Sequence, residues 1–337
     1  GEAAGESELS FTAGRNITLG GEIYDLWGDS RDALNIELNA GETLALNNHI
    51  YTSGGNFTAS AEAIIFGDEG AISTRFANDL ESDDVGDHNR RGVAKWSTGG
   101  NVTLNAVTQM TLGKVVTHDC LDATTCTGNL TLSGLEVGPA MTSPALTQID
   151  GSGLDIAGTT TINIGAGTAT LNNNANRFLG AVSGTASNLE ISGGDDGLTF
   201  GDLNITSNLT ATASGDITDL EGGDSEHIIR VDGLASFNTN GNRLLLANHE
   251  HQLRLVGALD QVQEVALKNG RALNVESIRT TREGGKVDID AAGNLNVASI
   301  DTEGKQGYNG GEIKLASGGT LTVGELNASG GAGENWG

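Results

Sequence analysis

The sequence contains few of the residues that stiffen, cross-link or anchor a chain. Only two of its 337 residues are proline, which excludes collagen, and aromatic residues make up 4%. No run of 18 apolar residues occurs, so the sequence predicts no membrane insertion. Basic side chains number 18 against 44 acidic ones, a net charge of −26. Because phosphate groups and anionic lipids would be repelled, we expect no nucleic-acid or membrane partner.

Glycine and short apolar triplets are abundant instead. The chain has 51 glycines, and 37% of its residues are hydrophobic. The apolar residues alternate with polar ones in short groups such as Val287-Asp288-Ile289 and Leu295-Asn296-Val297. Alternation of this kind is typical of strands with one buried face, and a disordered chain would lack it. The composition therefore predicts an all-β protein whose glycines separate many short strands.

Internal repeats indicate how the strands are arranged. Residues 149–171 align without gaps to residues 224–246, so we identify 149–223 and 224–300 as an internal repeat. A shorter period of about 22 residues separates Val275 from Val297, and each period contains about three strands. Three short strands with tight turns form one coil of a solenoid. The sequence predicts a parallel β-helix, with residues 1–337 as a single continuous segment of a larger chain.

The connections between coils vary in length mainly where the third strand of a coil leads to the next first strand. They include a long loop insertion at 75–97 and a loop at 118–127. We therefore predict insertions at one corner. Loops on a fixed scaffold often carry binding residues, and aromatic rings beside polar groups suit sugars. The predicted ligand-binding residues are Tyr24, Trp27, Tyr51, Asp83, Asp84, Asp87, His88, Arg90, Arg91, Trp96, Tyr308 and Trp336. The alternative is that the aromatic residues only pin the loops to the scaffold.

The two cysteines lie in the same loop. Cys120 and Cys126 are six positions apart, and no other cysteine competes for either. The spacing favours a local disulfide, which closes the loop at 118–127 and indicates an oxidising compartment. Zinc would need further ligands, and a redox pair favours two intervening residues.

Metal binding and catalysis have weaker signals. His249-Glu250-His251 places two imidazoles on one side of a strand, where they could hold a metal. The simpler interpretation is that they are polar residues at the protein surface. Calcium remains an alternative at Asp195-Asp196 and at the acidic cluster 83–87, although the calcium-binding nonapeptide repeat is absent. With 44 acidic side chains, a carboxylate pair identifies no glycosidase, and no nucleophile motif occurs. We predict no cofactor and no enzymatic activity.

Seven Asn-x-Ser/Thr triplets have two interpretations. They begin at Asn16, Asn56, Asn101, Asn129, Asn204, Asn208 and Asn327. Such triplets are glycan acceptors in some secreted proteins. The simpler interpretation is that a turn asparagine leads into a threonine-rich strand and that the repeat multiplies the pattern.

Three segments carry a family resemblance. Residues 10–19 read SFTAGRNITL, residues 168–182 read TATLNNNANRFLGAV, and residues 208–218 read NLTATASGDIT. Their text and order resemble the repeat region of filamentous-haemagglutinin-like adhesins, which are exoproteins of bacterial two-partner secretion. The resemblance implies a right-handed β-helix, an outer-membrane transporter as partner, and a role in adhesion or biofilm. The family's secretion-domain motif with Asn-Pro pairs is missing, so we expect an internal or distal segment.

These observations lead to one interpretation with two alternatives. We predict a segment of a secreted or cell-surface bacterial adhesin, a monomeric rod that binds glycan or exopolysaccharide along its loop-bearing edge. The first alternative is a purely structural stalk or spacer, and the second is a polysaccharide-degrading β-helix enzyme.

Overall fold

Short alternating sequences give this protein almost nothing but β-strands. The computed structural model describes residues 6–23, 33–74, 99–118, 127–134, 145–222, 227–281, 284–305 and 307–331. Its strands pair in parallel and make a β-solenoid of about 11 turns with a spacing of about 23 residues. This confirms the predicted all-β parallel β-helix. Within these residues no helix has the length and hydropathy needed to cross a membrane.

The chain forms two compact units, which are described separately. The first consists of residues 1–167 and 178–180, and the second of residues 168–177 and 181–337. The strands up to residue 167 are β1 (Glu6–Ala13), β2 (Ile17–Leu19), β3 (Ala33–Ala40), β4 (Thr43–Leu46), β5 (His49–Tyr51), β6 (Phe57–Phe66), β7 (Ala71–Ser73), β8 (Val102–Leu112), β9 (Lys114–Val116), β10 (Leu130–Gly134), β11 (Ala145–Gln148), β12 (Leu154–Ile156) and β13 (Thr160–Asn163).

The later strands and one short 3₁₀ turn follow. They are β14 (Thr168–Leu171), β15 (Arg177–Phe178), β16 (Val182–Ala186), β17 (Asn188–Ser192), the 3₁₀ turn Gly194–Asp196, β18 (Leu198–Ile205), β19 (Leu209–Thr212), β20 (Ile217–Asp219), β21 (Ile229–Asn238), β22 (Arg243–Val256), β23 (Leu259–Val262), β24 (Glu264–Asn269), β25 (Leu273–Val275), β26 (Ile278–Thr280), β27 (Val287–Ala291), β28 (Leu295–Asp301), β29 (Ile313–Ser317) and β30 (Leu321–Asn327).

Three ladders of paired strands enclose the core of the first unit. The register stacks like residues on one another: Leu9, Ile36, Phe57, Val102 and Leu130 in the first ladder; Ile17, Leu44, Ile64, Met110 and Leu146 in the second; Ile23, Ile50, Ile72, Val115 and Leu154 in the third. Most of these side chains are fully buried. Burial of each one stabilises the fold by about 1.5–3 kcal/mol relative to exposure.

Long connections of the first unit lie at more than one corner. The segments 24–32, 75–98 and 119–126 lead from the third ladder to the first, which is the predicted corner. The segment 135–144 instead joins β10 in the first ladder to β11 in the second. The first unit therefore has long connections at two corners.

In the second unit one ladder of paired strands ends partway along and a new ladder begins. One ladder runs without interruption through Ala169, Leu189, Leu209, Ala235, Val256, Val275, Val297 and Val323, and another through Leu198, Ile217, Leu244, Val265, Val287 and Ile313. The ladder Ile205, Val231, Leu253 ends where the Asn269 carboxamide bonds to both backbone groups of Leu253. A new ladder starts with Leu259 and continues through Ile278, Ile300 and Leu326.

Candidate functional site

Most residues predicted to bind a ligand lie outside the described part of the chain. These are Tyr24, Trp27, Asp83, Asp84, Asp87, His88, Arg90, Arg91, Trp96 and Trp336. The predicted disulfide partners Cys120 and Cys126 also lie outside it. The loop-edge hypothesis and the disulfide therefore stay predictions.

Tyr51 and Tyr308 are the two predicted ligand-binding residues that the structure describes. Tyr51 belongs to the first unit, where its hydroxyl lies 2.7 Å from Nδ1 of His49 and the two rings meet edge to face. Tyr308 belongs to the second unit and is 50% exposed, in the connection between β28 and β29. Only Tyr308 presents a largely open ring surface.

A polar cleft lies on the second unit where the ladder of Leu259 begins. Turns of four successive coils form it: residues 239–242, 260–264, 279–281 with 284–286, and 301–305. A central hollow of about 600 Å³ shares residues with neighbouring hollows of about 530, 510 and 820 Å³. The central hollow is lined by Gly241, Gln261, Gln263, Arg279, Thr280, Thr281, Asp301, Glu303 and Lys305.

Buried threonines hold the turns that form the cleft. Thr239 donates from Oγ1 to the carbonyl oxygen of Asn242 at 2.8 Å, and Thr302 donates to that of Gly311 at 3.1 Å. The Thr280 hydroxyl accepts the backbone N–H of Gly285 at 3.2 Å. All three threonines are at least 92% buried. Since each hydroxyl fixes one turn, the cleft is supported by the scaffold rather than by a free loop.

Ion pairs between neighbouring coils tie the cleft together. Arg279 donates from Nε to Oδ1 of Asp260 at 2.5 Å, and this bond raises the pKa of Arg279. Arg243 donates from Nε and Nη2 to Oδ2 of Asp216 at 3.0 and 2.5 Å. Burial raises the pKa of Asp216, but the side-chain and backbone hydrogen bonds from Arg243 outweigh it, so the pKa lies below its usual value. These charges are neutralised within the protein.

Other polar side chains of the cleft remain available. Gln261, Gln263 and Lys305 are exposed, and within the described part of the chain none has a side-chain hydrogen bond or ion pair. Carboxamides both donate and accept hydrogen bonds, and the Lys305 ammonium donates. The cleft thus offers free donors and acceptors in two turns, 260–264 and 301–305, to a molecule that carries both.

The histidine pair predicted at the surface is partly internal. His251 is fully buried, and its Nδ1 accepts the backbone N–H of Ile229 at 3.1 Å. The ring proton therefore sits on Nε2, which donates to Oδ2 of Asp219 at 3.1 Å. Asp219 is buried too and also accepts from the backbone N–H groups of Asn248 and His249. His251 is thus a core residue with a hydrogen-bonded partner, and no local sequence pattern predicts this burial.

No metal site emerges in the residues that the structure describes. Among them, no group of three or more His, Cys, Asp or Glu side chains has a metal-binding arrangement. Asp196, one of the two aspartates considered for calcium, instead accepts from Nε of Arg177 at 2.5 Å. The acidic cluster 83–87 lies outside the described residues.

The asparagine triplets have a structural explanation. In the first unit, Oδ1 of Asn35, Asn56, Asn101 and Asn129 accepts a backbone N–H from the next coil, each at 2.8–2.9 Å. Asn16 accepts in the same way from Thr43, and Asn208 of the second unit from Leu234. Five of the seven triplet asparagines directly precede a strand, as the simpler interpretation predicted, and their side chains also link coils.

Sequence reasoning missed the cleft because its residues are far apart in the chain. Asn240, Gln261, Arg279 and Asp301 are separated by about one coil each, and only the register of the strands brings them together. The single local signal is the turn dipeptide Asn240-Gly241.

Comparison with known proteins gives one match. A family model described as repeats of unknown function (DUF5649) matches residues 99–185 and 186–260, together just under half of the chain. No curated protein and no solved structure matches the sequence. The chain is therefore similar to a repeat family over two consecutive stretches.

Proposed function

We propose that this chain is a non-enzymatic segment of a secreted bacterial adhesin that binds a glycan or exopolysaccharide in the polar cleft of the second unit. The observation that carries the proposal is that free polar side chains line one hollow, Gln261 and Gln263 in one turn and Lys305 in a turn two coils further on. Turns two coils apart lie about 10 Å from each other, so an extended ligand reaches both better than a compact one.

The chemistry of the cleft favours carbohydrate. Sugar hydroxyls donate and accept hydrogen bonds, and carboxamides serve both roles. The hollows are open and mostly polar, unlike the enclosed apolar pockets that hold drug-sized ligands. Tyr308 is half exposed in the connection that also carries Glu303 and Lys305, and an aromatic ring suits the apolar face of a sugar.

The adhesin context rests on the sequence resemblance. The segments 10–19, 168–182 and 208–218 resemble filamentous-haemagglutinin-like exoproteins, and such proteins are exported through an outer-membrane partner. A parallel β-helix is the fold that this resemblance implies. We therefore retain secretion, surface location and the transporter partner as parts of the proposal.

A structural stalk is the second candidate. It is favoured by the asparagine links and the stacked apolar ladders, which join each coil of the first unit to the next without any ligand. A stalk needs only these links, whereas a binding segment also needs the free side chains of the cleft. Glycan binding therefore separates the two candidates.

A glycan array tests the proposal. The wild-type chain is compared with a Gln263→Ala/Lys305→Ala variant and with Asn105→Ala, an exposed strand position of the first unit that serves as the control. We expect binding by the wild type and the control and a loss of at least about tenfold in affinity for the double variant. Absence of wild-type binding favours the stalk, and release of reducing ends from a bound polysaccharide identifies an enzyme instead.

A further inference from the structure

Gln261 has an unusual backbone conformation. Its φ is +55°, in the left-handed region that residues other than glycine, asparagine and aspartate rarely adopt. It is also the extra residue of a β-bulge, because Asp260 pairs with Arg279 and Val262 pairs with Thr280. Bulges recur beside functional sites, where they redirect a side chain.

Local bonding explains a similar conformation at Asn240 but not at Gln261. Asn240 has a φ of +48°, and its Nδ2 donates to the carbonyl oxygen of Ala213 at 3.0 Å. Its backbone N–H also donates to Oδ1 of Asn238 at 3.1 Å. The exposed Gln261 carboxamide has no hydrogen bond among the described residues. The strain at Gln261 is therefore not compensated by contacts of its own side chain.

The position of Gln261 is central in the cleft. It lines both the central hollow of about 600 Å³ and the neighbouring hollow of about 510 Å³. The bulge carries its carboxamide to the junction of the two hollows. A ligand that runs from one hollow to the other has to pass this group.

Acidic groups outnumber basic ones around this junction. The hollows of the cleft contain six acidic side chains, Asp216, Asp260, Glu264, Asp301, Glu303 and Glu325, and four basic ones, Arg243, Arg279, Lys286 and Lys305. Three of the basic side chains, Arg243, Arg279 and Lys286, already pair with an aspartate. The net charge of the whole chain is −26. An anionic polysaccharide would find no excess of positive charge here, whereas an uncharged one loses nothing.

We infer that Gln261 is the specificity-determining residue of the cleft and that its ligand is an uncharged glycan chain lying across successive coils. This inference rests on the proposed function. The Gln261 carboxamide donates to one sugar hydroxyl and accepts from another at the junction of the hollows. The bulge aims this group at the ligand.

The variant Gln261→Gly distinguishes the effect of backbone strain on stability from the effect of the carboxamide on ligand binding. Gln261→Gly relieves the left-handed strain and removes the carboxamide, so we expect a higher thermal midpoint together with about tenfold weaker binding of a neutral oligosaccharide. Gln261→Asn keeps a carboxamide that tolerates this conformation and should retain part of the affinity. Ser53→Gly is the matched control, since Ser53 has a φ of +49° in the first unit; its binding should equal that of the wild type.

The measurement is titration calorimetry with neutral and with carboxylated or sulfated oligosaccharides, alongside thermal melts. Tighter binding of the neutral series, lost in Gln261→Gly despite its higher midpoint, supports the inference. Wild-type binding that Gln261→Gly leaves unchanged overturns it while the proposed function stands, as does a preference for the anionic series. No wild-type binding to either series overturns both.

Discussion

At the scale of single residues, asparagine side chains link neighbouring coils by hydrogen bonds. Each Oδ1 in the row Asn35, Asn56, Asn101, Asn129 accepts the backbone N–H of the next coil, a donor that would otherwise need water. The sequence pattern predicted Asn56, Asn101 and Asn129 at turns before strands, and the structure adds the backbone donor that explains why asparagine recurs there.

Replacing one member of this row should lower stability. In Asn101→Ala the N–H of Asn129 loses its acceptor, so we expect the free energy of unfolding to fall by about 1 kcal/mol, since the site is exposed to water. Urea denaturation measures the change. Asn105→Ala, four positions further along the same strand, should stay within about 0.5 kcal/mol of the wild type. Equal effects at the two positions would contradict a special role for the row.

The buried Asp219 should be far more sensitive. In Asp219→Ala the imidazole of His251 and the N–H groups of Asn248 and His249 lose their common acceptor inside the core. We expect a loss of about 3 kcal/mol in unfolding free energy, measured by urea denaturation. Asp232→Ala, which removes a half-exposed partner of Arg271, should cost less than about 1 kcal/mol. A small effect at Asp219 would show that the cluster is not closed to water.

At the scale of strands, the long sequence repeat and the coil are different units. The repeat equates Leu171 with Leu246, 75 residues later. In the second unit Leu171 stacks through Ile191 and Ala211 on Phe237, and Leu246 belongs to the next ladder, with Leu267 and Ile289. One repeat therefore advances the chain by three coils and one further strand. Periodicity predicted strands and coils. Only the strand register shows that equivalent residues of the two repeats lie in different ladders.

Asp216 directly precedes β20 and Arg243 begins β22, and the ion pair between them should make stability depend on pH. The folded pKa of Asp216 lies below its unfolded value of about 3.9. Its contribution is therefore present above about pH 4 and is lost as the pH falls through the folded pKa. Asp216→Asn should flatten the thermal midpoint against pH in that range, and Asp195→Asn is the control. An unchanged slope in Asp216→Asn would contradict the assignment.

At the scale of the whole molecule, the sequence pattern determines the fold class, whereas the pairing register of the strands determines where the polar cleft forms. Alternating triplets, turn glycines and the period of about 22 residues were together sufficient to predict a parallel β-helix. The cleft was not predictable in the same way, because Gln261 and Arg279 become neighbours only through the pairing of β23 with β26. The bulge that makes Gln261 distinctive is a property of this pairing and leaves no mark in the local sequence. Most of the predicted aromatic residues lie outside the described chain, so that hypothesis stays open to experiment.

The net charge gives a prediction for the entire chain. At −26, the protein should pass through heparin and DNA columns without retention even at low ionic strength, because binding a polyanion requires a cluster of unpaired basic groups. Several of the described basic side chains, such as Arg243 and Lys314, already pair with an aspartate. Retention that is released by salt would reveal a cluster of unpaired basic side chains and would contradict this prediction.

Hydrogen–deuterium exchange with and without a neutral oligosaccharide chosen from the array tests the central claim most directly. If the cleft of the second unit is the binding surface, amide exchange slows in peptides covering 259–263, 278–281 and 301–305, while the strand at 57–66 exchanges at the same rate in both samples. Protection confined to other parts of the chain, or no protection at saturating oligosaccharide, would contradict the account.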